Sequence, residues 1–340
     1  MLKRPQLLIL SGQAGAGTTS AARGLCESLV GHGVGAVAVD GRAKHDELVA
    51  MLDRAAESAG LGSRAQDVLR SLVRLDGLAG ALASSEAAEK AESVVWDAGE
   101  IDGFIRLLTL LGLSRSELAA MVPPLAATRI AQALPEGDRV AWLRTIDAIE
   151  AVRSMLANGS ARIFLALLPD DGLEERLATR MGQLALVGSA CDGIIVNQVP
   201  AGSDGWPEPW AGRRRQHLDR IRECGVPVVS VPFLADPAPA FRDAAGELLA
   251  IGPAPRPLSD RVTERADGGF DLHVHLPGVR AGEVRAGRLD DSLVIEVGGM
   301  RRSAALMPML RRCEIEGAGM REGWLIVRFS RNQALWPEAS

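Results

Sequence analysis

The fold is decided by the apolar segment Leu7-Leu-Ile-Leu10 and the glycine-rich segment that follows it, Ser11-Gly-Gln-Ala-Gly-Ala-Gly-Thr-Thr-Ser20. A short continuous apolar run predicts a strand buried on both faces, and the residues after Ser20 have the apolar spacing of a helix. Glycines between a strand and a helix let backbone N–H groups surround an anion at the helix N-terminus. The segment therefore predicts either a phosphate-binding loop on Gly12, Gly15 and Gly17 or an ordinary glycine-rich turn.

The loop departs from a working phosphate loop at one position. The pattern GxxxxGK[ST] needs a lysine that reaches the terminal phosphates and a hydroxyl that binds Mg²⁺. Here Thr18 stands in the place of the lysine, and Thr19 supplies the hydroxyl. A neutral side chain cannot supply the positive charge on which phosphoryl transfer depends.

Outside this loop, residues 1–252 alternate short apolar runs with longer helical patterns. This alternation predicts an α/β domain in which helices flank a parallel sheet. The strand candidates are Leu7–Leu10, Ala36–Val39, Ser93–Trp96, Ile163–Leu168, Gly193–Val196 and Pro227–Val231.

A proline-rich stretch at residues 253–260 predicts a linker, and the apolar pattern changes after it. Apolar and polar residues alternate over Phe270–Leu276, and two further apolar runs, Leu293–Val297 and Trp324–Phe329, follow after glycine-containing turns. A period of two predicts strands with one buried face. Residues 261–335 are therefore expected to form a small all-β sandwich domain.

Composition excludes several classes of protein. The formal net charge of −5 and the scarcity of aromatic residues argue against nucleic acid as a partner. The apolar runs are too short to cross a bilayer or to form a signal-peptide core, so we expect a cytoplasmic protein that is not integral to a membrane. The four cysteines form no CxxC pair, which argues against a zinc site. Only Lys3, Lys44 and Lys90 are lysines, and none lies in the loop.

The motifs together resemble the arsenite-pump/Get-pathway (ArsA-like) family of P-loop ATPases, the class with a deviant Walker A loop, KGGxGKT. In the resemblance the two family lysines correspond to Gln13 and Thr18. Asp40 matches the aspartate that positions the attacking water, and Asp97, followed by Arg106-Leu-Leu, matches switch II. Asn197 matches the asparagine that reads the adenine. The resemblance thus implies catalytic roles for Asp40 and Asp97, vestigial if the protein is inactive, and a Mg²⁺ role for Thr19 if nucleotide binds.

The C-terminal residues carry a second resemblance. Leu276-Pro-Gly-Val279, then Leu293-Val-Ile295, then Gly323-Trp-Leu-Ile-Val327 occur in the order seen in the α-crystallin (small heat-shock) domain. A fusion of this domain to an ArsA-like domain is a known architecture of the family. The resemblance implies a chaperone-like β domain.

These observations lead to one functional hypothesis and one alternative. The first is a degenerate ArsA-like protein with weak or absent hydrolysis, which acts as a binding, chaperone-like or regulatory subunit. It would form a homodimer, or a heterodimer with an ArsA-like paralogue, bind MgATP or ADP weakly or not at all, and hold no zinc. The alternative is an active ATPase that drives anion transport or protein targeting. Leu110–Leu134 is expected to form either plain core helices or a groove for a protein client.

Overall fold

The structure, a computed structural model, describes residues 6–40, 45–58, 78–111, 136–170, 172–200, 207–234 and 236–332. Contacts divide the chain into a first unit, Met1–Leu173 with Cys191–Ala254, and a second unit, Glu174–Ala190 with Pro255–Ser340. The predicted boundaries 1–252, 253–260 and 261–335 stay predictions. From residue 112 onward, the expected client groove lies outside the described residues.

The first unit is built on a six-stranded sheet of order β2-β3-β1-β4-β5-β6, in which every neighbouring pair is parallel. The predicted parallel α/β fold is therefore confirmed. The strands are β1 (Gln6–Gly12), β2 (Ala36–Asp40), β3 (Ser93–Glu100), β4 (Ala161–Leu167), β5 (Cys191–Val199) and β6 (Val228–Pro232).

Helices join these strands, as the alternating pattern predicts. Among the described residues they are α1 (Thr18–Gly31), α2 (His45–Ser58), α3 (Leu78–Ala88), α4 (Ile101–Leu111), α5 (Glu136–Ala157), α6 (Leu173–Leu186), α7 (Glu208–Arg222) and α8 (Ala238–Ala250). All but α6 belong to the first unit, and α6 belongs to the second from Glu174 onward.

One apolar core lies where α1 and α8 pack on the sheet. It contains Leu25 of α1, Phe241 and Leu248 of α8, and Leu8 and Phe164 of the central strands, all of them buried. Burying large aliphatic and aromatic side chains stabilises such a layer by about 1.5–3 kcal/mol each. This core holds the start of α1, and with it the glycine loop, in a fixed position against the sheet.

The second unit contains helix α6 and two antiparallel sheets, of order β11-β10-β9 and β12-β13-β8-β7. Alternate residues are buried along β8 and β10, which confirms the period-two prediction. The strands are β7 (Arg261–Glu264), β8 (Phe270–His275), β9 (Val284–Leu289), β10 (Ser292–Val297), β11 (Met300–Ala305), β12 (Cys313–Arg321) and β13 (Trp324–Arg331), with a short helix α9 (Pro308–Arg311) and a 3-10 turn (Ala281–Glu283).

Candidate functional site

The glycine loop connects the carboxyl end of β1 to the first turn of α1. Because β1 lies between β3 and β4, the carboxyl ends of these three parallel strands meet at the loop. This edge of an open α/β sheet is where ligands bind in such folds. Gly15 and Gly17 have positive φ angles, +77° and +81°, so the loop turns in a conformation that side chains disfavour.

Gly12 lies beneath the loop, directly against β4. A Cβ at this position would collide with the carbonyl oxygen of Ala166 and would lie 2.8 Å from the Thr18 hydroxyl oxygen. The next residue continues the contact, because Gln13 N–H donates to the Ala166 carbonyl at 2.9 Å. Gly12 is therefore required for close packing and does not line the cavity described below.

A cavity of about 740 Å³ opens above the loop. It brings together seven of the residues that the sequence singled out: Gln13, Gly15, Gly17, Thr18, Thr19, Asp40 and Asp97. The other described lining residues are Ala14, Ser20, His45, Asp46, Ala98, Gly99 and Glu100.

Thr19 and Asp97 form a direct pair inside this cavity. The Thr19 hydroxyl donates to Asp97 Oδ2 at 2.6 Å, and Gly99 N–H donates to Asp97 Oδ1 at 3.0 Å. Asp97 is only 8% exposed, so its carboxylate is held in one orientation. A hydroxyl beside a carboxylate is the oxygen set that Mg²⁺ uses in phosphate-loop proteins.

Gln13 is anchored within its own chain. Its Nε2 donates to Asp170 Oδ2 at 2.7 Å, and its Oε1 accepts from Leu168 N–H at 3.2 Å. Both ends of the amide thus bind the segment that follows β4. Gln13, which corresponds in the resemblance to one of the family lysines, therefore links the loop to the segment after β4.

Arg214 of α7 contributes to the electrostatics around Asp170. Burial lowers the pKa of the Arg214 guanidinium, and the Asp170 carboxylate acts in the opposite direction. Arg214 also lies 3.9 Å from the centre of the Trp210 ring and donates to the Gln198 carbonyl at 2.8 Å. Arg214 is not among the residues that line the cavity.

Asn197 lies behind the loop and not on the cavity wall. Its Nδ2 donates to the Ala16 carbonyl at 3.1 Å, and its Oδ1 accepts from Gln198 N–H at 2.7 Å. A Cβ on Gly17 would lie 3.0 Å from the same Nδ2. The side chain is 7% exposed and supports the backbone of the loop. The adenine-reading role implied by the resemblance stays a prediction.

The charge of the cavity is the feature that sequence reasoning missed. Four carboxylates line it, from Asp40, Asp46, Asp97 and Glu100, together with the imidazole of His45. No lysine or arginine is among its described lining residues. The positions of Asp46 and Glu100, a few residues beyond Asp40 and Asp97, are the signal that could have indicated this.

The cavity therefore fits MgATP only in part. The loop backbone and the Thr19–Asp97 pair have the form that phosphates and Mg²⁺ require. The charge does not fit, because four carboxylates repel a polyphosphate and no described cation of the lining offsets them. Three cationic residues lie near these segments in the sequence: Arg23 is exposed on α1 outside the lining, and Arg42 and Lys44 lie outside the described residues.

Within the described residues no helix has both the length and the apolar character needed to cross a bilayer. The described His, Cys, Asp and Glu side chains form no cluster of three or more that could hold a metal ion.

Comparison with known proteins supports both resemblances. The sequence profile of the HSP20-like domain found in ArsA matches residues 267–329. Protein Rv2184c of Mycobacterium tuberculosis is 28% identical over 331 residues, which cover 88% of this chain and 78% of that protein. Uncharacterized protein SCO2128 of Streptomyces coelicolor is 29% identical over 316 residues, which cover 86% of this chain and 80% of that protein.

Proposed function

We propose that this chain, whose residues 267–329 match the HSP20-like domain found in ArsA, is a degenerate ArsA-like ATPase-family protein that works by binding. Its ATP hydrolysis is weak or absent. It acts as a chaperone-like or regulatory subunit, in a homodimer or in a heterodimer with an ArsA-like paralogue. It binds MgATP or ADP weakly or not at all, and it holds no zinc.

The observation that carries this proposal is the charge of the loop cavity. Phosphoryl transfer is accelerated mainly by positive charge placed where negative charge develops. The described lining has four carboxylates and no lysine or arginine. An ATPase site also needs cationic side chains at the phosphates, and the described lining supplies none.

The two replaced lysine positions support the same conclusion. Thr18 turns its hydroxyl towards Gly12, and Gln13 is bound to Asp170 and Leu168. Neither side chain carries a charge that could reach a phosphate. Loss of one preorganised donor raises a barrier by about 3 kcal/mol, which is roughly a hundredfold in rate.

The test compares ATP binding and hydrolysis in the intact chain and in three variants. Thr18→Lys restores one charge, and Thr18→Met is the matched control because it has similar length without charge. Gln13→Lys combined with Thr18→Lys restores both charges. We expect hydrolysis at background level in the unchanged chain and in Thr18→Met, and a measurable increase when lysine is restored.

Calorimetric titration with MgATP provides the second readout. Micromolar affinity together with turnover in the unchanged chain would overturn the proposal. If the lysine variants stay inactive, the carboxylates are the next target: Asp46→Asn and Glu100→Gln remove two of the four charges without touching the Thr19–Asp97 pair.

A second candidate function is an active ATPase that drives anion transport or protein targeting. It is favoured by one observation, the intact pair of Thr19 and Asp97 at 2.6 Å, with Asp40 on the same cavity. This candidate predicts hydrolysis that Asp40→Asn abolishes. Hydrolysis that survives Asp40→Asn argues against it.

The regulatory and chaperone-like roles are separated by what accompanies the purified protein. Sedimentation of the chain alone tests for a homodimer, and co-purification from the native host tests for a stoichiometric ArsA-like paralogue. Suppression of the aggregation of a heat-denatured model enzyme tests the chaperone-like role. A monomer that neither recruits a paralogue nor suppresses aggregation contradicts both roles.

A further inference from the structure

Helix α6 is packed tightly within the second unit. Gly182 has no room for a Cβ, which would collide with Val279 and lie 3.0 Å from Val297 Cγ1. The neighbouring Gln183 is 1% exposed, and its Nε2 donates to the Gly298 carbonyl at 2.9 Å. These contacts determine which side of α6 lies against the β10–β11 turn.

A cleft of about 630 Å³ lies where this helix faces the 3-10 turn and the β10–β11 turn. Three of its lining side chains are guanidinium groups and two are carboxylates. Its described lining residues are Glu175, Arg176, Thr179, Arg180, Arg280, Gly282, Glu283 and Gly298, all of the second unit.

One of the three arginines, Arg180, is oriented by the buried side chain of Gln183. Arg180 Nη1 donates to Gln183 Oε1 at 3.0 Å, and the other end of the same amide is bound to Gly298. Gln183 therefore holds the Arg180 guanidinium in a set direction at the wall of the cleft. Such support from a second layer of residues is typical of functional side chains that must not move.

One of the two carboxylates already has a local role. Glu283 Oε2 accepts from Arg280 N–H at 3.1 Å, which closes the 3-10 turn. This bond uses the backbone of Arg280 and not its side chain. The guanidinium of Arg280 lines the cleft together with those of Arg176 and Arg180.

We propose that this cleft binds an oxyanionic group, a phosphate or a carboxylate, through Arg280, Arg176 and Arg180. Guanidinium forks match the two oxygens of such groups, and they are more weakly hydrated than an ammonium ion. The cleft is independent of the glycine loop, because all of its lining residues belong to the second unit. Anion binding in this cleft therefore does not depend on nucleotide binding or hydrolysis at the glycine loop.

The experiment measures binding of inorganic phosphate and of citrate to the full chain by calorimetric titration. Arg280→Gln and Arg180→Gln keep polar side chains of similar size and remove charge. Arg321→Gln is the matched control, since Arg321 is exposed, its ion pair is with the adjacent Glu322, and it is outside the cleft. Circular dichroism confirms that each variant is folded.

We expect saturable binding that weakens about tenfold in each cleft variant, since a hydrogen bond to a charged group contributes at least about that factor. Arg321→Gln should bind as the unchanged chain does. Binding of phosphate but not citrate identifies a phosphate site, and the reverse identifies a carboxylate site. The proposal is overturned if neither anion binds at low millimolar concentration, or if the cleft variants and the control bind equally well.

Hydrogen exchange locates the site without relying on affinity. Bound anion should protect the backbone of residues 280–283 and 297–299 from exchange. Protection confined to residues 12–20 would show that the anion binds the glycine loop, and this outcome would also overturn the proposal.

Discussion

Replacing Asp192 by alanine should unfold the first unit at markedly lower denaturant concentration. Asp192 is the second residue of β5 and is fully buried, and it faces the 5% exposed Arg162 with 3.9 Å between Oδ1 and Nε. Its carboxylate also accepts from Ile163 N–H at 2.7 Å and from Ala254 N–H at 2.8 Å. The Asp192 carboxylate thus faces the buried positive charge of Arg162 and accepts hydrogen bonds from two backbone N–H groups.

The magnitude follows from what the truncation leaves behind. Removing one partner of a buried ion pair typically lowers the free energy of unfolding by about 3–5 kcal/mol, because the other charge stays buried without its counter-ion. A loss of this size corresponds to roughly 10 °C in Tm for a unit of this length. Asp192→Asn keeps the shape and an acceptor oxygen, so we expect an intermediate loss.

Urea unfolding followed by far-ultraviolet circular dichroism measures the effect, since most described helical residues belong to the first unit. Asp219→Ala is the control. Asp219 pairs with Arg222 at 3.2 Å, but both side chains are exposed, and such pairs contribute about 0–1 kcal/mol. The reasoning is refuted if Asp192→Ala costs no more than Asp219→Ala.

Three further predictions concern the loop and the β domain. Gly17→Ala should cost about 1–3 kcal/mol of stability because φ is +81°, whereas Gly31→Ala, at the end of the same helix with open space around it, should be neutral or stabilising; thermal melting compares the two. Gln13→Ala should cost about 1–2 kcal/mol in urea unfolding, because it leaves the carboxylate of Asp170 without its Nε2 donor, and a change within error would show that this tie is not stabilising. Burial lowers the pKa of His275, so as the pH falls the unfolded chain takes up the proton before the folded chain does. The contribution of the neutral imidazole to the free energy of unfolding should therefore be fully present above the ordinary pKa of 6.5 and decrease as the pH drops below it. His275→Phe should flatten this pH dependence of the unfolding free energy. If the free energy of unfolding varies with pH as in the unchanged chain, the dependence does not come from His275.

The positions of the strands in the first unit and their parallel arrangement were predictable from the sequence because their signals are local, whereas their order in the sheet was not predicted. The apolar run Leu7–Leu10 and the run Ile163–Leu168 both form central strands close to the predicted bounds. Strands buried on both faces need continuous apolar side chains, and that requirement is readable in a window of a few residues. The alternating pattern of Phe270–Leu276 likewise predicted a half-buried strand in the β domain.

The candidate site was predictable only in part. The residues that contact the loop from nearby in the chain, Thr18 and Thr19, followed from motif spacing, and Asp40 and Asp97 followed from the family pattern. Asn197 was singled out as the residue that reads the adenine, which stays a prediction; in the structure its amide contacts Ala16 and Gln198. A motif specifies which residue is present and not which atoms it contacts.

The sequence by itself determined that a glycine loop joins a buried strand to a helix and that no lysine stands in that loop, because backbone freedom and side-chain charge are properties of the residues themselves. Only the tertiary structure decided that Gln13 is tied to Asp170, 157 positions away, and that four carboxylates converge on one cavity. It alone assigned helix α6 to the unit of the β domain. Charge balance in a cavity and the partners of a buried amide depend on which distant segments are packed together, and no local pattern contains that information.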